Sequence, residues 1–220
     1  MYIENWLNTE TGNKKVLITN NMKNAVRALR KCNNSGVSRF NTECKSIKDI
    51  AFAVIAESIA SEGKIEKVNI IDDEMYGLIL NEIIINNIEE FSFLNPMCIS
   101  QATADEILRN MNKIRLNSTT EAYDKSEDTK ISELKKLISL YEKRLSDENK
   151  YDYCSALKKA VSVLKKKCHK KRTSYGLFKS HSYTRLEMEF VSRLTGGECP
   201  VVTYTEKTPI KCNLFKSYGI

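Results

Sequence analysis

The chain has 220 residues, of which 41% are hydrophobic, 29% charged and 8% aromatic, with a formal net charge of +7. Gly (8) and Pro (3) are scarce and the apolar content suffices for a core, which excludes collagen-like, mucin-like and largely disordered chains. No apolar run approaches the roughly 18 residues of a membrane span, and MYIENWLNTETGNKK has neither a basic start nor an apolar secretory core, so the cytoplasm is the expected compartment.

In chain order, residues 15 to 19 (KVLIT) form a short β-branched run. Met22, Ala25, Val26 and Leu29 follow as a helical stripe, with Asn20 or Asn21 available as its cap. A second strand is expected at 37 to 42 (VSRFNT), after the turn NNSG. It leads into a strong helix through Ile47, Ile50, Ala51, Val54, Ile55 and Ile59. Two β-α units in such a short span imply a parallel sheet.

From about 73 to 170 the pattern predicts helices only. Met75, Leu78, Ile79 and Ile83 make one stripe. Thr103-x-x-Glu106 reads as a capping box opening another, through Ile107, Leu108, Met111 and Ile114. The polar stretch NSTTEAYDKSEDTK reads as a linker. After it, Ile131, Leu134, Ile138, Tyr141 and Leu145, then Tyr153, Leu157, Ala160 and Leu164, repeat at helical spacing. The tail returns to alternation. A strand is expected at 174 to 178 (SYGLF), a capping box at Thr184-x-x-Glu187, a helix through Leu186, Phe190, Val191 and Leu194 that stops at Gly196-Gly197, and a last strand at 200 to 205 (PVVTYT). The architecture implied is an α/β fold whose parallel sheet is interrupted by a helical subdomain.

Charge is distributed unevenly. Residues 133 to 185 carry a net +10 and the remainder a net −3. The densest part is KKKCHKKR, whose Lys165, Lys166, Lys167, Lys170, Lys171 and Arg172 could neutralise a phosphate backbone and release its counterions. A solvated helix end, its lysines complementing the macrodipole, accounts for the same run. The seven cysteines are nowhere closer than 12 residues, so no C-x-x-C pair offers zinc or redox chemistry and free thiols are expected. Two histidines, His169 and His181, are too few for a His-rich metal centre.

The order of these elements resembles that of the UvrD-like superfamily-1 DNA helicases. KVLITNNMKNAVRALRKC, with Thr19, Asn20, Ala25 and Leu29, and then Thr42, is similar to the family's strand, Ala-x-x-Met/Leu helix and second strand. YEKRLSDENKYDYCSALKKAVSVL matches its helical element at Tyr141, Leu145, Asp152, Tyr153 and Leu157. SYGLFKSHSYTRLEMEFVSRLTGG is similar to the Walker B region, especially in degenerate AddB-type subunits of helicase-nucleases and related fusions to PD-(D/E)XK nucleases. The resemblance implies a core of the P-loop-NTPase type. Residues 1–72 and 173–220 would form a helicase 1A-like α/β part without a phosphate loop, and 73–172 a 1B-like helical insertion. It further implies DNA, single- or double-stranded, as a sequence-independent partner, and a parent exonuclease or helicase whose other domains or partner subunit complete it. NLFKSYGI resembles the word that leads into the next domain of such chains, so the 220 residues are expected to be an N-terminal piece.

The departures bear on chemistry. No G-x-x-x-x-G-K-[ST] occurs; the nearest glycine is Gly12, in TGNKK. Where paired Walker B carboxylates should follow the strand, the chain has Lys179, Ser180 and His181, which cannot hold Mg²⁺ in that way. No ATP hydrolysis, catalytic residue, cofactor or metal is therefore expected. Asp72-Asp73-Glu74 could in principle serve a metal nuclease, but acids opening a helix complement its dipole, and that reading is preferred. Glu206 and Lys207 are adjacent, the wrong spacing for a PD-(D/E)XK core, and no G-x-S-x-G elbow exists for His181 to serve. An adaptor whose basic helix docks an acidic partner is the alternative. A small-molecule α/β enzyme is disfavoured because no glycine-rich β-α turn is present.

Overall fold

A computed structural model describes residues 1–9, 14–34, 36–37, 41–63, 68–71, 73–94, 100–117, 129–166, 173–179 and 182–204. The chain divides into two compact units: Met1–Cys44, Arg172–Ser180 and Pro200–Ile220 form one, Lys45–Lys171 and His181–Cys199 the other. The fold is α/β. The helical unit thus begins at 45 and takes in 181–199, whereas the sequence pattern places the change at 73 and 172.

The sheet unit is built from helix α1 (Ile3–Asn8), strand β1 (Lys14–Ile18), helix α2 (Met22–Asn34), β2 (Thr42–Lys45), β5 (Thr173–Phe178) and β6 (Val201–Val202). The strand order is β2-β1-β5-β6. β5 runs parallel to both neighbours, with Val16 opposite Tyr175, Ile18 opposite Leu177, and Phe178 opposite Val202. The apolar run of β1 is buried from Lys15 to Ile18, as expected of a central strand covered on both faces. Strands far apart in sequence pair here because parallel neighbours need crossover connections.

Two features of this unit carry no signal in the sequence pattern. α1 follows a parallel bridge between Tyr2 and Thr203, in which Ile3 N donates to the Thr203 carbonyl and Thr203 N to the Met1 carbonyl, both at 3.0 Å. Its Trp6 is buried against β5: a Cβ on Gly176 would lie 2.8 Å from Trp6 Cε2 and 2.9 Å from Val202 Cγ2. Lys15 is also buried, its Nζ donating to the carbonyls of Leu7 (2.5 Å), Trp6 (3.4 Å) and Thr9 at the C-terminal end of α1. Carbonyls at a helix end lack the next turn's N–H donors, and of these three the Trp6 carbonyl also accepts from Thr9 N and the Thr9 hydroxyl.

Of the strand expected at 37–42, residues 38–40 lie outside the described residues; Asn41 takes a left-handed conformation (φ 57) that extended backbone excludes, and the described strand runs from Thr42 on to Lys45. The Asn21 side chain caps α2, accepting from Asn24 N at 3.0 Å.

The second unit contains α3 (Ile47–Ser61), β3 (Asn69–Ile70), α4 (Asp73–Asn86), α5 (Gln101–Asn117), α6 (Thr129–Asp147), β4 (Lys150–Tyr151), α7 (Tyr153–Lys166) and α8 (Arg185–Thr195). α3 packs along α7, α7 along α8, and α4 along both α5 and α6. Its core gathers Tyr76, Leu80, Ile84, Met111, Leu137, Tyr141 and Leu145. The unit is not helical throughout: β3 and β4 pair in parallel outside that core, Asn69 with Lys150 and Ile70 with Tyr151.

Half of the stripe expected on α4 is buried, Ile79 and Ile83, together with Tyr76, Leu80 and Ile84, whereas Met75 is exposed and Leu78 is 70% exposed. α4 is apolar on several faces, and periodicity alone does not choose among them. The cap of α5 is Ser100, which accepts from Thr103 N at 3.2 Å, so Thr103 lies inside the helix and opens no capping box. At α8 the expected box is present. Thr184 accepts from Glu187 N, Glu187 accepts from Thr184 N at 2.7 Å, and Gly196 ends the helix at φ 69.

Candidate nucleic-acid interface

α7 carries both the buried polar centre of the helical unit and the described part of the basic run. Its N-terminus is set by a tight sequence of turns. Asn149 adopts φ 51, which Asn tolerates better than most residues, and the two-residue β4 follows it. Asp152 then caps the helix: its Oδ1 accepts from Ser155 N at 2.8 Å, and Ser155 Oγ accepts from Asp152 N at 2.9 Å.

The same Asp152 carboxylate accepts two bonds from Arg115 of α5, NH1 to Oδ2 at 2.5 Å and NH2 to Oδ1 at 3.1 Å. Arg115 Nε donates to Glu142 Oε1 at 2.9 Å, and the guanidinium carbon lies 5.3 Å from the centre of the Tyr141 ring. Burial alone would raise the Asp152 pKa. The hydrogen bonds and charge of Arg115, with the Ser155 donors, outweigh it and hold the carboxyl below its ordinary range. Burial likewise opposes ionisation of Glu142, and Lys158 and Arg115 together reverse that. Cys154, beside this centre, is pushed up to about 12 by burial, so it is an inert thiol.

A second buried carboxylate ties a loop to α6. Glu133 accepts from Ser92 Oγ at 2.6 Å and from the successive backbone N–H groups of Ser92, Phe93 and Leu94 at 2.8 to 3.1 Å. These bonds overcome burial and lower its pKa.

The residues of the helicase-like words take definite places. Thr19 is buried at the end of β1, with its hydroxyl accepting from Asn21 N at 2.9 Å; Ala25 and Leu29 are core residues of α2. Tyr141, Leu145, Asp152 and Leu157 are buried in the helical unit, and the Tyr153 hydroxyl donates to Glu187 Oε1 at 2.5 Å. The sequence singles out Asp152 but not its partner Arg115, which lies 37 residues upstream.

Of the six cations expected to contact phosphate, Lys165 and Lys166 are exposed in the last turn of α7. Lys165 Nζ is 3.4 Å from Glu189 Oε1, a solvent-exposed pair that holds the side chain only weakly. Lys167, Lys170, Lys171 and Arg172 lie outside the described residues, as do His169, His181, Asp72, Glu206 and Lys207.

Near Lys166 lies a cleft of about 410 Å³ between α3 and α7, lined also by Lys159, Ser58, Ser162 and Tyr151. Among the described residues no group of three or more His, Cys, Asp or Glu side chains could hold a metal ion, and no helix is long and apolar enough to cross a membrane. Compared with protein-family models and with curated proteins, the chain matches none.

Proposed function

We propose that the chain is a helicase-like domain without ATPase chemistry that binds DNA independently of sequence, in the cytoplasm, within a DNA-repair helicase-nuclease. The observation that carries this reading is the topology. A parallel sheet takes strands from both ends of the chain, and a helical unit lies between β2 and β5 in sequence, in the order the helicase resemblance implies. Further support comes from Tyr141, Leu145, Asp152 and Leu157, which match the helicase element and are all buried in that helical unit. The exposed Lys165 and Lys166 supply the start of a cationic surface. The reacting groups of a nuclease or an active ATPase would then belong to other domains or to a partner subunit.

The absence of a phosphate loop from the sequence gives the reading a sharp test. Calorimetric titration with ATP and Mg²⁺ is expected to show no saturable heat, while labelled DNA raises its fluorescence anisotropy on binding the same protein. Saturable ATP binding near 10 μM, about −7 kcal/mol, would overturn the ATPase-inactive part of the proposal.

A further inference from the structure

α7 presents Ser155, Lys159, Ser162 and Lys166 at intervals of four, three and four residues, so the four lie on one helical face. Lys159 and Lys166 are exposed and neither makes an ion pair among the described residues, unlike Lys158, which holds Glu142 at 2.5 Å. Two turns of helix separate them, about 10 Å of rise. They line the cleft against α3, where Ser58 and Ser61 add hydroxyls, Ile55 and Val163 an apolar wall, and Glu62 the one acid among its described lining residues.

A second depression, about 490 Å³, continues the first. It shares Asn149, Tyr151 and Lys159 with it and adds Glu142 with its ion-pair partner Lys158, and Lys150, which is paired with Glu148, so that Lys159 and Lys166 are the cations lining the two hollows that hold no acid among the described residues. Tyr151 therefore borders both hollows. Its backbone is fixed by the β3 pairing, with Ile71 N donating to its carbonyl at 3.0 Å, and its hydroxyl donates to Asn149 Oδ1 at 3.3 Å. Cations that track a backbone beside an aromatic ring on which a base can stack are the two components of single-strand recognition. The bases of a duplex are stacked inside the double helix and offer no free face to such a ring, whereas those of a single strand do.

We infer that the α3–α7 cleft is a single-stranded DNA site in which Lys159 and Lys166 contact phosphates and Tyr151 stacks on a base. The inference rests on the DNA-binding reading above and assigns that activity a place and a strand preference. Lys166 belongs to both the cleft and the basic run; Lys159 and Tyr151 belong to the cleft alone and discriminate between them.

The test is fluorescence anisotropy with a labelled twelve-nucleotide oligothymidine, its abasic counterpart and a duplex of equal length. Full-length wild type, Lys159→Gln, Lys159→Arg, Tyr151→Leu and the triple variant Lys165→Gln/Lys166→Gln/Lys167→Gln are compared, each checked for native ellipticity. Lys159→Gln should weaken oligothymidine binding about 3- to 5-fold and flatten the log-log salt slope by about 0.7, with Lys159→Arg restoring both. Tyr151→Leu should weaken it about 5- to 10-fold and leave the abasic strand unaffected, because stacking alone is removed. If the triple variant weakens binding while Lys159→Gln and Tyr151→Leu do not, the cleft is overturned and the basic run stands. Should the two cleft variants weaken binding and the triple variant weaken it and flatten the salt slope by no more than the single contact of Lys166, about 0.7, the cleft stands and the rest of the run is eliminated; a triple variant that binds like wild type overturns the cleft as well. Absence of wild-type binding to all three probes overturns both.

Discussion

The two units hold their interiors together by different means. In the sheet unit the central contact is apolar and close: Trp6 lies over Gly176 and beside Val202, and the buried Lys15 ammonium donates to the carbonyls of Trp6, Leu7 and Thr9. In the helical unit the interior is crossed by full charges, Arg115 with Asp152 and Glu142, while Glu133 is buried under backbone donors. The first arrangement is intolerant of added volume and indifferent to moderate acid. The second tolerates small changes of shape but depends on every ionised partner.

Acid should separate the two most strongly. Asp152, Glu133 and Glu142 all have folded-state pKa values held below their ordinary range. Their contribution is therefore complete above the unfolded carboxylate range, about pH 4 to 5, and is lost as pH falls through it toward the folded values. Trp6, the single tryptophan, reports on the sheet unit, whereas ellipticity at 222 nm is dominated by the longer helices. Ellipticity should fall at a higher pH than the Trp6 emission shifts, and coincident transitions would erase the contrast.

At neutral pH the largest single effect is expected at Arg115. Arg115→Met leaves Asp152 buried and unpaired, which costs about 3–5 kcal/mol. Replacing both partners by apolar residues should cost less than Arg115→Met alone, as a double-mutant cycle in urea would show. Gly176→Ala is expected to cost about 1–3 kcal/mol, because the added methyl meets the edge of a ring packed on a strand. It should shift the Trp6 emission as well. A Gly176→Ala protein with unchanged stability would mean that the sheet unit yields more readily than its close packing implies.

These contrasts also explain how much of the fold is legible in the chain. KVLIT and SYGLF are apolar runs bounded by turn residues, and Thr184-x-x-Glu187 with Gly196-Gly197 marks both ends of α8 by local chemistry alone, so these elements can be read directly. α1 cannot, since IENWLN is too short for a period and its burial comes from the sheet and from α2. The two-residue β3 and β4 exist through each other and carry no pattern of their own. On α4, Leu78 and Ile79 are equally apolar, and only the neighbouring helices decide which is buried. In the interface region the basic run is visible as composition. Lys159, Ser162 and Tyr151 are not, because what joins them is the packing of α3 on α7 and the pairing of β3 with β4, and neither leaves a mark within any one segment.

Sequence-independent DNA binding through cations is measured most directly by a salt series. Wild-type anisotropy titrations on duplex DNA should give a log-log slope between about −2 and −5, according to how many of the six cations at 165–172 are engaged. Unrelated sequences should bind equally well. Lys165→Gln/Lys166→Gln/Lys167→Gln should flatten the slope by about 1 for each phosphate no longer neutralised and weaken all sequences alike. An affinity and slope unaltered in that triple variant would contradict the account and leave the basic helix as a docking surface for an acidic protein partner.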